Sequence, residues 1–417
     1  MRIVDEAVRE RWKTDMSRPL EGIRVLDLSR VLAGPHCSRL LVDLGADVIK
    51  VEPPEGDLTR FATMRKNSLS AYFTQQNVGK RNVSVDLSKA EGVDLVFRFA
   101  AHVDVLLENF RPGVLDRLGL GYERVAEANP RIVYMSVTGY GHDGPWRDRP
   151  AYAPTVHAEM GWLEVVARGR DEPPLHDPLS HADVYSGVYA AVGVLAALHH
   201  RERTGRGQHV DMAMAEALLS ATEHIAAEHV QERKRPAHFD DPHPMFRMRD
   251  GRYVTISASP IPRGSFGMWC KAVGRDDLGD DPRFADDDAR RENLDALLEI
   301  LQEWVHTFDD VETLDAALRK ARLVMGVVRK LTEAAATDWA KARGAIVEIS
   351  DRGDGTFKVP NSPWRFSEAE SGAHGVPAYR GEHNREVLKE LLDLDDAEIA
   401  KLEEAEILSS RVPPTAR

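Results

Sequence analysis

Alternating strand and helix patterns across the first half of the 417-residue chain predict an α/β fold. Its main body is expected to be a large, doubly wound, Rossmann-like parallel sheet. A change of character after about Ile225, where ERKRPAHFDDPHP is polar and proline-bearing, predicts a linker over 226–243. A smaller α+β domain is expected over 244–343, and the large domain over 1–225.

The elements read in order. Ile23–Leu28 is a β-branched-rich run, and Gly34-Pro35 opens a helical stretch through Leu44, proline at a first helical position needing no N–H partner. Gly45 ends that helix, and Ala46–Val51 reads as the next strand. Ser88 and Glu91 have capping-box spacing ahead of Val93, Val96, Phe97 and Ala100, which share one helical face. Val103–Leu107 and Ile132–Val137 are further short apolar strands. Tyr253–Ser257 begins the second region; 344–366, with GDGTF and NSPWRF, reads as strand and turn, and charged helices follow from about Glu382.

Composition excludes several classes. Hydrophobic residues make up 42% and charged residues 29%, ordinary values for a globular protein. Lys plus Arg number 55 against 68 Asp plus Glu, a net charge of −13 that disfavours a nucleic-acid partner. An anionic ligand then needs a local basic cluster. Cys37 and Cys270 are far apart, outside any metal or redox spacing, so no metal is expected and a reducing cytoplasm fits. The charged N-terminus has no secretory core, and the apolar run Val188–Leu198 is too short to span a bilayer, so it reads as a buried helix with no membrane partner.

The turn after the first strand, Ser29–Pro35, lacks the glycines that let a backbone approach a pyrophosphate. Glu52 stands where a ribose-binding acid would, but without that turn a dinucleotide is not expected, and no Walker lysine loop occurs.

Four stretches carry the chemistry: ADVIKVEPPEGD (46–57), NVGKRNVSVDL (77–87), ENFRPGVLDRLGLGYE (108–123) and HADVYSGVYAAVGVLAALHHRERTGRGQHVDMAM (181–214). Together they closely resemble family III CoA transferases, the formyl-CoA and carnitine-CoA transferase group (CaiB/BaiF-like), from about Leu20 to Ala217 and again at PAYRGEHNREVLKEL. The resemblance implies that Asp183, opening Asp183-Val184-Tyr185-Ser186-Gly187, is a nucleophile that takes an acyl group from a thioester. Read alone, Asp183 before a helical run is a good N-cap, and the two roles are compatible because a helix start favours a charged carboxylate. Coenzyme A is implied as substrate, with acyl-CoA and a carboxylic acid as partners. Its implied site comprises Leu32 and Ala33, then Val85, Asp86, Leu87 and Ser88, then Asn109, Phe110 and Arg111, with Arg117 later and Tyr152 beside the acyl group. Arg111 and Arg117 have the planar forks that suit phosphates, and Lys80 and Arg81 add positive charge. Tyr72 matches a second aromatic position, although either tyrosine also reads as core. The resemblance further implies that 344–417 returns to the large domain and that two subunits interlock as linked rings in a homodimer.

Two departures bear on the acids. Leu32 replaces a polar glutamine of the formyl-CoA branch, so oxalate and formate fit poorly. Ala237–Pro244, with His238 and His243, replaces that branch's glycine run. Two rivals remain. The α-methylacyl-CoA racemases share the fold but need a His-Asp pair where this chain has Tyr152-Ala153 after Asp148-Arg149-Pro150-Ala151. A non-catalytic CoA-binding homologue would have lost the acid that Asp183 retains.

Overall fold

The computed structural model describes residues 17–168, 172–222, 230–231 and 243–413. Apart from 230, 231 and His243, the stretch read as a linker, His238 included, lies outside the described residues.

Six short segments form one sheet: β1 (Arg24–Asp27), β2 (Asp47–Glu52), β3 (Arg81–Ser84), β4 (Val105–Glu108), β5 (Val133–Thr138) and β6 (Gln208–Ala213). The order is β3-β2-β1-β4-β5-β6 and every neighbouring pair is parallel. All residues of β4 and β5 are buried, the pattern of parallel strands covered on both faces.

Helices supply that cover. α1 (Ala33–Asp43), α2 (Ala71–Asn77), α3 (Ala90–Ala100), α4 (Ala153–Glu159) and α5 (His181–Thr204) come from the first part of the chain, α6 (Asn384–Leu392) and α7 (Asp396–Glu404) from its end. Leu41, Ala190 and Val194 of α1 and α5 pack with Val25, Val105 and Met135 on one face. Val96 and Phe99 of α3, with Val387, Leu388 and Ile399 of α6 and α7, pack with Leu26, Ile49 and Leu106 on the other. Helices on both faces of a parallel sheet make the fold doubly wound.

The chain divides into two compact units, Met1–Thr222 with Trp339–Arg417, and Glu223–Asp338. The second contains a three-stranded antiparallel sheet, Met245–Arg247, Tyr253–Ile256 and Met325–Val327, around a core that includes Trp269, Phe284 and Leu301. In the first unit Ile346–Ser350 pairs with Thr356–Pro360 as a hairpin.

Local readings need four corrections. Ser88 does not cap α3: its hydroxyl donates to Asp86 at 2.6 Å, and the helix starts after Lys89 with no side-chain cap. Pro35 is the third residue of α1, not the first. Asp183 is not an N-cap: Ser180 holds that position, leaving Asp183 in the first turn. Finally, α5 is only half-buried. It has 24 residues, enough length and apolarity to cross a membrane, yet 44% of its apolar window packs inside the protein. Val184, Val188 and Val192 on its other side are 39%, 40% and 57% exposed.

Close approach of α1 and α5 depends on Gly187, where a Cβ would stand 2.9 Å from the Ala33 carbonyl oxygen and 2.8 Å from the His36 ring. Gly187→Val is expected to destabilise the protein by about 1–3 kcal/mol through overpacking, measured by urea denaturation.

Candidate active site

Open parallel sheets bind ligands beyond the carboxyl ends of the strands, where the strand order reverses. That point lies between β1 and β4, and a cavity of about 390 Å3 sits there. Its walls are the loop after β1, the segment Asn109–Pro112 after β4, the end of β5, Arg147 with the stretch Arg149–Pro154, Tyr72 of α2, and Ser180 with Asp183 at the start of α5.

Two backbone N–H groups act on the Asp183 carboxylate: those of Ala33 and Ala153, the first residues of α1 and α4, favour its charged form. The donors therefore come from two other helices and not from the start of α5 itself. Burial raises the Asp183 carboxyl to about 6, and the two N–H groups work against that rise. At neutral pH the group is ionised but under-solvated, the condition of a carboxylate able to attack an activated carbonyl. Tyr72 stands near it; burial, then the charges of Asp183 and Asp57, push its hydroxyl up to about 12, so it stays protonated. Ser70 positions Tyr72 by capping α2, accepting the Phe73 N–H at 2.9 Å.

The loop after β1 is clamped from β4. Asn109 accepts the Arg30 N–H at 2.8 Å and donates to the Arg30 carbonyl at 2.9 Å, while the Arg30 guanidinium lies 5.2 Å from the Phe110 ring centroid. Among the described residues, four arginines stand around the cavity, Arg30, Arg111, Arg147 and Arg149, with Asp183 the one lining carboxylate. Arg149 stacks on Trp146 at 4.4 Å and pairs with Glu159. Arg147 lies 3.6 Å from Asp148. This is the local basic cluster that a chain of net charge −13 requires to hold an anion.

Of the residues proposed from sequence, Leu32, Ala33, Asn109, Phe110, Arg111, Tyr152 and Asp183 line the cavity together, with Tyr72. Tyr152 is 64% exposed, which removes its core reading. Val85, Asp86, Leu87, Ser88 and Arg117 do not line it. Val85 is buried and bridged to Leu408, Asp86 receives the Ser88 hydroxyl, and Arg117 is an exposed residue of a short helix. Lys80 and Arg81 face elsewhere: Lys80 is buried against Asp27, and Arg81 pairs with Asp47, Glu386 and Glu390. Glu52, the would-be ribose acid, is taken up by a two-point pair with Arg60 at 2.7 Å. His243 is exposed, and both cysteines are buried and free. Sequence reasoning missed Arg30, Arg147 and Arg149; the WRDRP segment was the available signal for two of them. Among the described residues no group of His, Cys, Asp and Glu is arranged to hold a metal ion.

Comparison with known proteins decides the family. The model of CoA-transferase family III matches residues 20–384. The chain belongs to CoA-transferase family III. It is an enzyme of that family, whose substrate is coenzyme A. It is 33% identical over 406 residues to the succinyl-CoA–L-malate CoA-transferase β subunit of Chloroflexus aurantiacus, covering 95% of this chain and 99% of that protein. It is 32% identical over 414 residues to the formyl-CoA:oxalate CoA-transferase of Streptomyces avermitilis, covering 93% of this chain and 98% of that protein. Among solved structures, a CaiB/BaiF family protein from Brucella suis superimposes with a TM-score of 0.78 at 34% identity, over 90% of this chain and all of that one, 100%. The predicted α/β class with its large parallel sheet stands.

The raised Asp183 carboxyl has a stability consequence with a defined sign. The native state holds this proton more tightly than the unfolded chain, so ionising Asp183 costs stability as pH rises from about 4 to above 6. Asp183→Asn removes that cost. Its unfolding free energy from urea denaturation is expected to exceed that of the parent protein at pH 8, by roughly 1 kcal/mol after allowing for partial exposure, and to match it near pH 4.

Proposed function

We propose that this enzyme moves coenzyme A from an acyl-CoA thioester to a free carboxylic acid through covalent intermediates on Asp183. The carboxylate oxygen of Asp183 attacks the thioester carbonyl; the C–S bond breaks, CoA leaves as thiolate, and an aspartyl–acyl anhydride remains. The thiolate then attacks the aspartyl carbonyl, the donor acid departs as carboxylate, and an aspartyl-CoA thioester forms. The acceptor carboxylate attacks that thioester, and the returning thiolate takes the new acyl group and frees Asp183. Each exchange becomes a sequence of easier acyl transfers. The reading rests above all on the Ala33 and Ala153 N–H groups directed at the Asp183 carboxylate. The same donors suit the oxyanion that develops when thiolate adds to the aspartyl carbon.

The proposed acids are dicarboxylates longer than oxalate. Arg30 and Arg111 line the cavity without an ion pair among the described residues and suit a distal carboxylate or a CoA phosphate. Leu32 offers no side-chain hydrogen bond to a short diacid, and one relative is named for succinyl-CoA and malate. Val85–Ser88 and Arg117 are proposed to meet the nucleotide end of CoA outside this cavity. A second copy of the chain is proposed to cover the exposed Val184, Val188 and Val192 face of α5, as in the family's interlocked dimer. Cytoplasmic location fits two free, buried cysteines.

Asp183→Ala is expected to lower CoA exchange by about 10,000-fold or more while retaining CoA binding, read by steady-state kinetics and calorimetry. Hydroxylamine added during turnover is expected to leave a hydroxamate on Asp183. Undiminished exchange in the variant rejects the nucleophile. A separate panel pairs succinyl-CoA with acceptor acids of graded length; acceptance of monocarboxylates alone rejects the substrate class.

A further inference from the structure

Consecutive backbone groups of the loop after β1 are each met by a side chain. The Ser29 N–H donates to Asp27 at 2.9 Å, and the Ser29 carbonyl accepts from the Lys50 ammonium at 2.7 Å. Asn109 takes both polar groups of Arg30. The Val31 N–H donates to Asp57 at 3.2 Å. Lys50 and Asp57 are themselves joined at 3.2 Å, and their side chains are 1% and 0% exposed. Lys80 works on the next turn, holding Asp27 at 3.2 Å, the Ser38 hydroxyl at 2.7 Å and the Pro35 carbonyl at 3.1 Å.

What this clamp restrains is a strained residue. Val31 has φ +66°, the left-handed region that a β-branched side chain adopts at a cost of about 1–2 kcal/mol. Two residues later α1 begins; its first residue, Ala33, lines the cavity with Asp183, and the Ala33 N–H favours the charged carboxylate. An unclamped valine would relax to negative φ and swing the start of α1.

We propose that the buried Lys50–Asp57 pair is a positioning device, which keeps Val31 in its left-handed turn so that the Ala33 N–H stays on the Asp183 carboxylate. Lys50 and Asp57 are positioning residues and touch no substrate atom. The proposal rests on Asp183 being the nucleophile. It explains why this sheet buries charges beneath its cavity when apolar residues of similar volume would fold as well. Burial presses the Asp57 carboxyl upward, but the Lys50 ammonium and N–H groups from Thr59 and Val31 hold it down at about 2, so the clamp stays charged over the working pH range.

The test uses the full-length enzyme. Lys50→Met with Asp57→Leu removes both charges without leaving one unpaired, and Asp57→Asn keeps an acceptor for Val31 while removing the charge. The double variant is expected to lose roughly 10–100-fold in kcat, the scale of one weakened oxyanion donor, with KM for acyl-CoA within about threefold. The acid limb of its kcat–pH profile is expected to move to higher pH, because a displaced Ala33 N–H no longer favours ionised Asp183. Asp57→Asn is expected to show a smaller loss and a smaller shift. Tyr72, His36 and His157, and the arginines lining the cavity, Arg30, Arg111, Arg147 and Arg149, are unchanged in these variants, so the shift reports on the N–H. Adding Val31→Gly to the double variant relieves the strain and is expected to restore about fivefold in kcat and return the acid limb toward its original position. A folded double variant with the parent kcat and acid limb overturns the proposal. So does a loss of rate that merely follows the folded fraction and that Val31→Gly leaves unchanged. Hydroxylamine capture of Asp183 in the parent enzyme separates this failure from failure of the nucleophile itself.

Discussion

Two helix starts converge on one carboxylate. The first N–H of α1 and the first N–H of α4 both favour the charged form of Asp183 in the first turn of α5, and all three residues line one cavity. A carboxylate moved out of water without compensation would take up a proton and cease to be a nucleophile. Two neutral donors offset part of that penalty without neutralising the charge as an arginine would. The balance leaves Asp183 ionised at neutral pH and poorly solvated.

The fold supplies this geometry because β1 and β4 are neighbours whose following chains diverge. Their loops open a cleft that neither could form alone, and Asn109 of one grips Arg30 of the other. α5 then crosses α1 closely enough for Asp183 to reach Ala33, an approach that Gly187 permits. Below the cleft, Asp27, Lys50, Asp57 and Lys80 form a buried set of alternating charges. Burial pulls the Lys80 ammonium down to about 8, whereas Asp57 and Asp27 overcome burial to hold Lys50 above its ordinary value. A network of this kind contributes little net stability against an apolar core, but it allows few alternative arrangements of the loop it grips.

The strands were legible because parallel strands buried on both faces leave mostly apolar runs, as in Val105–Leu107 and Val133–Val137. Asp183, Asn109, Phe110 and Arg111 were legible through motifs whose order and spacing resemble a known family. Charged residues at and beside the strands were harder to place: sequence does not show that Asp27 waits beside Lys80, which was expected to add charge near the ligand, or that Arg60 takes up Glu52. The Ser88–Glu91 capping box failed for a related reason: Asp86, two residues earlier, captures the serine hydroxyl first. The donors on Asp183 were beyond reach, since backbone N–H groups carry no residue signature and Ala33 and Ala153 lie 120 residues apart.

Oxygen bookkeeping offers the most direct test of covalent transfer at Asp183. The acceptor carboxylate contributes the bridging oxygen of the second anhydride, and cleavage at the acyl carbon leaves that oxygen on the aspartate. After turnover with an 18O-labelled acceptor acid, the account predicts heavy oxygen in the peptide containing Asp183, located there by fragment mass spectrometry. A peptide that stays unlabelled while labelled acid is converted into acyl-CoA would contradict it.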